Sequence, residues 1–114
     1  MSDPRFRPRH MAAPPDRRHF GKLSEIQWLT GTTELEISRV EAARLQHSFA
    51  VRINQRLRDQ GHSIRAYATL TGSGYDRMTK VLRGEAVMRL EDVADAERLL
   101  GGIVQTPPTA RQTS

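Results

Sequence analysis

Glycine closes one helical stretch of this chain after another. Gly31, Gly61, Gly72, Gly84 and the pair Gly101-Gly102 each follow a stretch whose apolar residues recur at helical spacing. Helices commonly end on a left-handed residue, which glycine adopts without a Cβ penalty. The stretches between the glycines open on capping residues: Ser24, Thr32 or Thr33, and Ser63. No segment alternates apolar and polar residues as a half-buried strand does. The pattern therefore predicts an all-α fold.

The first predicted helix is short, from Ser24 through Ile26, Trp28 and Leu29 to the stop at Gly31. The second starts at Thr32 or Thr33, with Glu34 and Glu36 in its first turn, where the helix dipole favours acid. Its stripe is Ile37, Leu45, Phe49, Ile53 and Leu57, with Glu41 interrupting. It either runs unbroken to Gln60 or breaks at the polar run Gln46, His47 and Ser48. Further helices are expected from Ser63 to Thr71, from Gly74 to Arg83, and from Leu90 to Leu100. Residues 1–20, with Pro4, Pro8, Pro14 and Pro15, have no periodicity and are expected to be a disordered basic arm. Residues 103–114, with Pro107 and Pro108, are expected to be a disordered tail. The chain thus divides into the arm, a helical extension over 21–48, a domain over 49–102, and the tail.

At 114 residues and 5% aromatics, there is material for one small core. There is no cysteine, which excludes disulfides and thiol chemistry. No apolar run reaches the ~20 residues of a membrane span. No apolar stretch follows the N-terminal arginines, so a secretory signal is not expected and the chain is expected in the cytoplasm.

The net charge is +5, unevenly placed. Residues 1–23 carry a net +4, residues 24–49 a net −2, residues 50–84 a net +5, and residues 85–101 a net −3. Sixteen of the eighteen cations are Arg, whose planar fork suits phosphate. Codon bias alone also produces arginine, but would spread it more evenly.

The stretch Ser63–Gly84 has the layout of a helix-turn-helix: two short helices, a turn at Gly72, and small Ala68 where the helices cross. Met78 and Val81 would seat the second helix. Tyr75, Asp76, Arg77, Thr79 and Lys80 would face outward at the end that enters the major groove in such units. These residues are the expected base contacts. Asp76 either accepts from a cytosine amino group or caps its helix. Tyr75 contacts a thymine methyl, contacts a phosphate, or packs within the chain. Arg65 and Arg83 are expected on the phosphate backbone, and Arg5, Arg7, Arg9, Arg17 and Arg18 on DNA without sequence preference.

With Ser63, Ala68, Gly72, Arg83 and Gly84 in register, and Leu90–Gly101 matching the following helix, the chain resembles the lambda-repressor-like, Xre-type helix-turn-helix family. The resemblance covers residues 49–101. Ile64, Tyr67, Ser73 and Gly74 depart from the family's usual residues. The resemblance implies a lambda-repressor-like DNA-binding domain, and it adds Ser63 to the phosphate contacts. The family's C-terminal dimerisation helix has no counterpart before Pro107-Pro108.

These features point to a sequence-specific transcriptional regulator of double-stranded DNA, a repressor of phage or mobile-element type. One alternative is an antitoxin-like protein whose residues 24–48 bind a partner protein. Another is nonspecific nucleoid or single-strand binding. A homodimer through residues 24–49 is expected from Ile26, Trp28, Leu29, Leu35, Ile37, Val40 and Leu45, unless these fold back on the chain's own core. The histidines, His10, His19, His47 and His62, lack metal-ligand spacing, and no nucleophile elbow or carboxylate pair is readable. No enzyme activity, cofactor, metal or small-molecule ligand is expected.

Overall fold

The computed structural model describes residues 6–104. Within them lie two 3-10 helices, Pro8–Met11 and Pro14–His19, and four α-helices: α1 (Glu34–Gln60), α2 (Ile64–Thr71), α3 (Tyr75–Leu82) and α4 (Leu90–Leu99). The fold is all-α. Among the described residues the one β feature is an isolated antiparallel bridge between Ala12 and Trp28. No helix there is long and apolar enough to cross a membrane.

α1 is set by its caps. The Thr33 hydroxyl accepts from the Glu36 amide at 3.1 Å, and the Glu36 carboxylate accepts from the Thr33 amide at 3.3 Å and the Thr32 hydroxyl at 2.7 Å. This reciprocal arrangement satisfies amides that the first turn leaves open. Gly61, at φ 72°, closes the other end. The helix is continuous, so the expected boundary at 48/49 falls inside it. Its buried face is Val40, Ala43, Gln46, His47, Ala50, Ile53 and Leu57. The expected stripe holds only in its C-terminal half: Ile37 and Leu45 are 45% and 59% exposed. The polar run is buried instead because its groups are used. The Gln46 amide donates to the carbonyls of Val81 and Ala86, both at 2.9 Å, and accepts from the Met88 amide at 2.8 Å.

The segment before α1 differs most from expectation. Ser24–Leu29 is not helical. It runs beside residues 11–13, with the Leu29 amide donating to Met11 and the Ala13 amide to Gln27, both at 2.9 Å. Gly31 has a different duty from a helix stop: a Cβ there would lie 2.6 Å from the Ile37 nitrogen. Residues 6–20 form an ordered segment, not a disordered arm. Prolines open both 3-10 turns, where a missing N–H costs nothing. Pro8, Ala12 and Phe20 are buried. Arg5 lies outside the described residues.

The core joins Phe20 to Ala50, Ile53 and Leu57 of α1, Tyr67 and Ala68 of α2, Met78 and Leu82 of α3, Ala96 of α4, and Ile103. Ile103 thus belongs to the core and not to a disordered tail. The Glu97 carboxylate accepts from the amides of Gly102, Ile103 and Val104 and draws the chain back onto the bundle. Those three bonds also hold the Glu97 carboxyl below its ordinary pKa. The rest of the expected tail, residues 105–114, lies outside the described residues.

Candidate nucleic-acid interface

α2, the turn and α3 form as their local signals predict. The Ser63 hydroxyl accepts from the Ala66 amide at 3.0 Å and caps α2. Gly72, at φ 78°, turns the chain in open space, so it is required there for its conformation alone. α3 buries Met78, Val81 and Leu82. Its opposite side carries exposed Asp76, Lys80 and Arg83, with Thr79 half-buried between them.

The five expected base-contact residues are not equivalent. Arg77 does not face outward. Its guanidinium donates two bonds to the Asp92 carboxylate, at 2.9 and 2.7 Å, which ties α3 to α4. At period 3.6 Arg77 falls on the flank of α3 beside α4, and only the carboxylate fifteen residues later completes the pair. Burial pushes the Asp92 carboxyl up, but Arg77 and the Arg89 amide overcome this and hold it below the ordinary carboxylate range. Asp92 accepts from that Arg89 amide at 2.8 Å, so it also caps α4.

Tyr75 is exposed, and the Arg65 guanidinium stacks 4.1 Å from its ring centroid. A cation over an aromatic face is held by the ring quadrupole. Intramolecular packing therefore accounts for one face of Tyr75, and it places Arg65 at the α3 N-terminus. The Thr79 hydroxyl lies within donating distance of the carbonyls of Tyr75 and Asp76, at 3.1 and 2.9 Å. Asp76 makes no capping bond; the N-cap is Gly74. Of its two expected roles, the cap is not formed.

The N-terminal arginines sit close to α3. The Arg9 guanidinium pairs with Glu85 at 3.0 Å, and the Arg9 amide donates to the Gly84 carbonyl at 2.9 Å. Arg17 donates to the carbonyls of Ala12 and His10 at 3.1 and 3.2 Å. Arg7 and Arg18 are exposed. Burial, and then the charges of Arg17, Arg7 and Arg9, hold the His10 imidazole below its ordinary pKa.

Two open depressions flank Arg83. One, of about 420 Å³, lies between α3 and the end of α1 and is lined by Lys22, Asn54, Arg58, Tyr75 and Thr79 among others. The second, of about 200 Å³, is lined by Arg9, Arg17, Arg18, Lys22 and Glu85. Sequence reasoning did not select Lys22, Asn54 or Arg58 for the site. Arg58 has a local signal, since it occupies the last turn of α1 before Gly61. Asn54 has none, because its partner is the carbonyl of Gly21. Among the described residues no group of three His, Cys, Asp or Glu side chains could hold a metal ion.

Comparison with protein-family models, curated proteins and solved structures returns no match for this chain.

Proposed function

We propose that this chain is a sequence-specific regulator of transcription that binds double-stranded DNA in the cytoplasm, with α3 in the major groove and repression as its output. One observation carries the reading. The outward side of α3 presents Asp76, Lys80 and Arg83 between further cationic groups, Arg65 at its start and, along its flank, the depression that Lys22 and Arg58 line. Lys80 supplies a donor suited to guanine, and Asp76 an acceptor suited to a cytosine amino group. In this reading Ser63, Arg65 and Arg83 meet phosphates, which fix the pose without reading sequence. Arg77 orients α3 and makes no base contact.

The test is selection of bound duplexes from random DNA, followed by titration of Lys80→Ala and Asp76→Ala against the selected site. Loss of discrimination at separate positions for the two variants supports the reading. A chain that enriches no duplex sequence refutes it.

A partner-binding reading rests on a different face. Ile26 and Val40 fold back onto the core and Trp28 packs against it, but Leu35, Ile37 and Leu45 remain exposed. Leu45 and Phe49 line an apolar depression with Val87, Leu90 and Val93. A homodimer or an antitoxin-like complex would use this face. Sedimentation of Leu45→Glu with Leu90→Glu against wild type tests the homodimer, since the pair of charges should convert a dimer to monomer.

A further inference from the structure

The segment Arg17–Lys22 is locked against the end of α3. Phe20 is buried over Gly84, where an added Cβ would meet the Phe20 ring at 2.8 Å. The Gly21 amide donates to His47 Nδ1 at 2.9 Å, and the Gly21 carbonyl accepts from Asn54 at 2.9 Å. Gly21 adopts φ 75°, and an added Cβ would overlap the Leu82 carbonyl oxygen. The backbone is thus held on three sides within three residues of Arg18 and two of Lys22.

Lys22 and Arg83 line both depressions, so the positive surface is continuous around the end of α3. No acidic side chain among the described residues pairs with Arg18, Lys22, Arg58 or Arg83. Glu85, the acid lining the smaller depression, is already engaged by Arg9. Four unneutralised cations on three separate chain segments, carried by a held backbone, suit a polyanion with regularly spaced charge.

We infer that Arg18, Lys22, Arg58 and Arg83 form a fixed seat for the DNA phosphodiester backbone along the flank of α3 and around its C-terminal end. The inference rests on the DNA-binding reading and adds a role to it. A flexible basic arm strengthens binding to every duplex equally. A fixed seat also sets how α3 enters the groove, because phosphate contacts determine register and orientation. Groups already in place lose less freedom on binding, so the seat contributes affinity as well.

The experiment titrates the selected duplex and a scrambled duplex by fluorescence anisotropy over a range of salt. The chains are wild type, Lys80→Ala, Arg18→Ala with Lys22→Ala, and Asn54→Ala. Circular dichroism establishes that each folds. Losing two phosphate contacts should lower the salt slope by about 1.8 and weaken binding roughly 30-fold at 0.15 M salt. Asn54→Ala keeps every cation but releases the Gly21 carbonyl. It should weaken the selected duplex more than the scrambled one. Gly21→Ala, where it folds, should do the same more strongly. An unchanged slope and affinity in the double variant, with Lys80→Ala still losing discrimination, overturns the seat and leaves the DNA reading standing. Equal weakening of both duplexes by Asn54→Ala overturns the fixed register. A wild-type chain that binds neither duplex overturns the DNA reading itself.

Discussion

Phe20→Ala tests whether the segment before α1 is part of the fold. The ring is 1% exposed. It meets Trp28 edge-on at 6.2 Å and His47 at 5.3 Å. Burying a phenyl side chain removes roughly 150–200 Å² from water, an upper bound of about 4–5 kcal/mol at ~25 cal/mol/Å². Phe→Ala substitutions in cores cost about 3–5 kcal/mol when a cavity remains. Phe20→Ala removes the ring that holds the segment over Gly84, so in the variant the 3-10 turns relax and let water in. That relaxation brings the expected loss to about 3 kcal/mol, a large share of the ~5–15 kcal/mol typical of a domain. The chain contains one tryptophan, Trp28, which sits in the same ring cluster and reports directly on it. Urea unfolding followed by Trp28 fluorescence, with far-UV circular dichroism on the same samples, gives the difference. The variant should also show a red-shifted native emission. A disordered arm would lose less than ~0.5 kcal/mol, as surface substitutions do. A measured loss below about 1 kcal/mol, with unchanged native emission, would refute the assignment of Phe20 to the core.

Asp92→Ala should destabilise the fold by about 2 kcal/mol in the same assay. That combines a lost cap with a broken ion pair, the pair reduced below the fully buried range because Arg77 keeps contact with water. Arg77→Ala should lower stability as well as DNA affinity, and an unchanged urea midpoint would contradict its role in tying α3 to α4. Burial holds the His47 imidazole below its ordinary 6.5. The unfolded chain therefore takes up a proton that the fold refuses, so stability is full above pH 6.5 and falls as the pH drops toward the folded value. A thermal midpoint that stays level from pH 8 to pH 5, or a His47 NMR resonance that titrates at 6.5, would contradict this. Asp92 acts lower: its stabilisation is present above the unfolded value of 3.8 and is lost as the pH falls through its depressed folded value. Ser63→Ala should cost about 1 kcal/mol by removing the α2 cap, measured by the shift in urea midpoint.

The stretch from Ser63 to Leu99 was legible because every boundary in it is a local event. Ser63 caps its own helix, Gly72 adopts the conformation only glycine adopts freely, and Met78, Val81 and Leu82 fall on one side of a two-turn helix. The N-terminal segment carries no such signal. A 3-10 turn has no amphipathic period to detect, and prolines read as disorder when their partners are unknown. Phe20 is a core residue only because Gly84, sixty-four positions later, leaves room for its ring. Trp28 was readable as a core residue but not as an extended one, since its backbone geometry depends on residues 11–13. In α1 the spacing of four marks the buried face at Ile53 and Leu57, but the same spacing carried back to Leu45 and Ile37 falls on solvent-exposed positions. Gln46 and His47 looked like a break because polar groups belong inside only when paired. Gln46 finds its partners at Val81 in the last turn of α3 and at Ala86 and Met88 in the α3–α4 connection. His47 finds one at Gly21 and leaves its Nε2 without one.

The same distinction applies to the candidate site. Helical register places a side chain to within a flank, and the flank is where the two outcomes for Arg77 diverge. A rotation of α3 by a fraction of a turn would offer Arg77 to a groove; Asp92 holds it the other way. The cost to the site is one cation on the reading face, and the gain is a fixed α3. With Arg77 withdrawn, the outward side of α3 runs from acid at Asp76 to base at Lys80 and Arg83, one to two turns apart. A short surface with opposite charges at its ends discriminates only when its position along the groove is set from outside, since a shift of one base pair changes the base that each end meets. On the proposed DNA-binding reading, the outside support comes from the N-terminal segment, which brings Lys22 beside Arg83, and from the end of α1, whose Arg58 lines the same depression along α3. On that reading, withdrawing Arg77 and docking residues 17–22 act together: the first fixes the helix within the protein, and the second would fix the protein along the duplex.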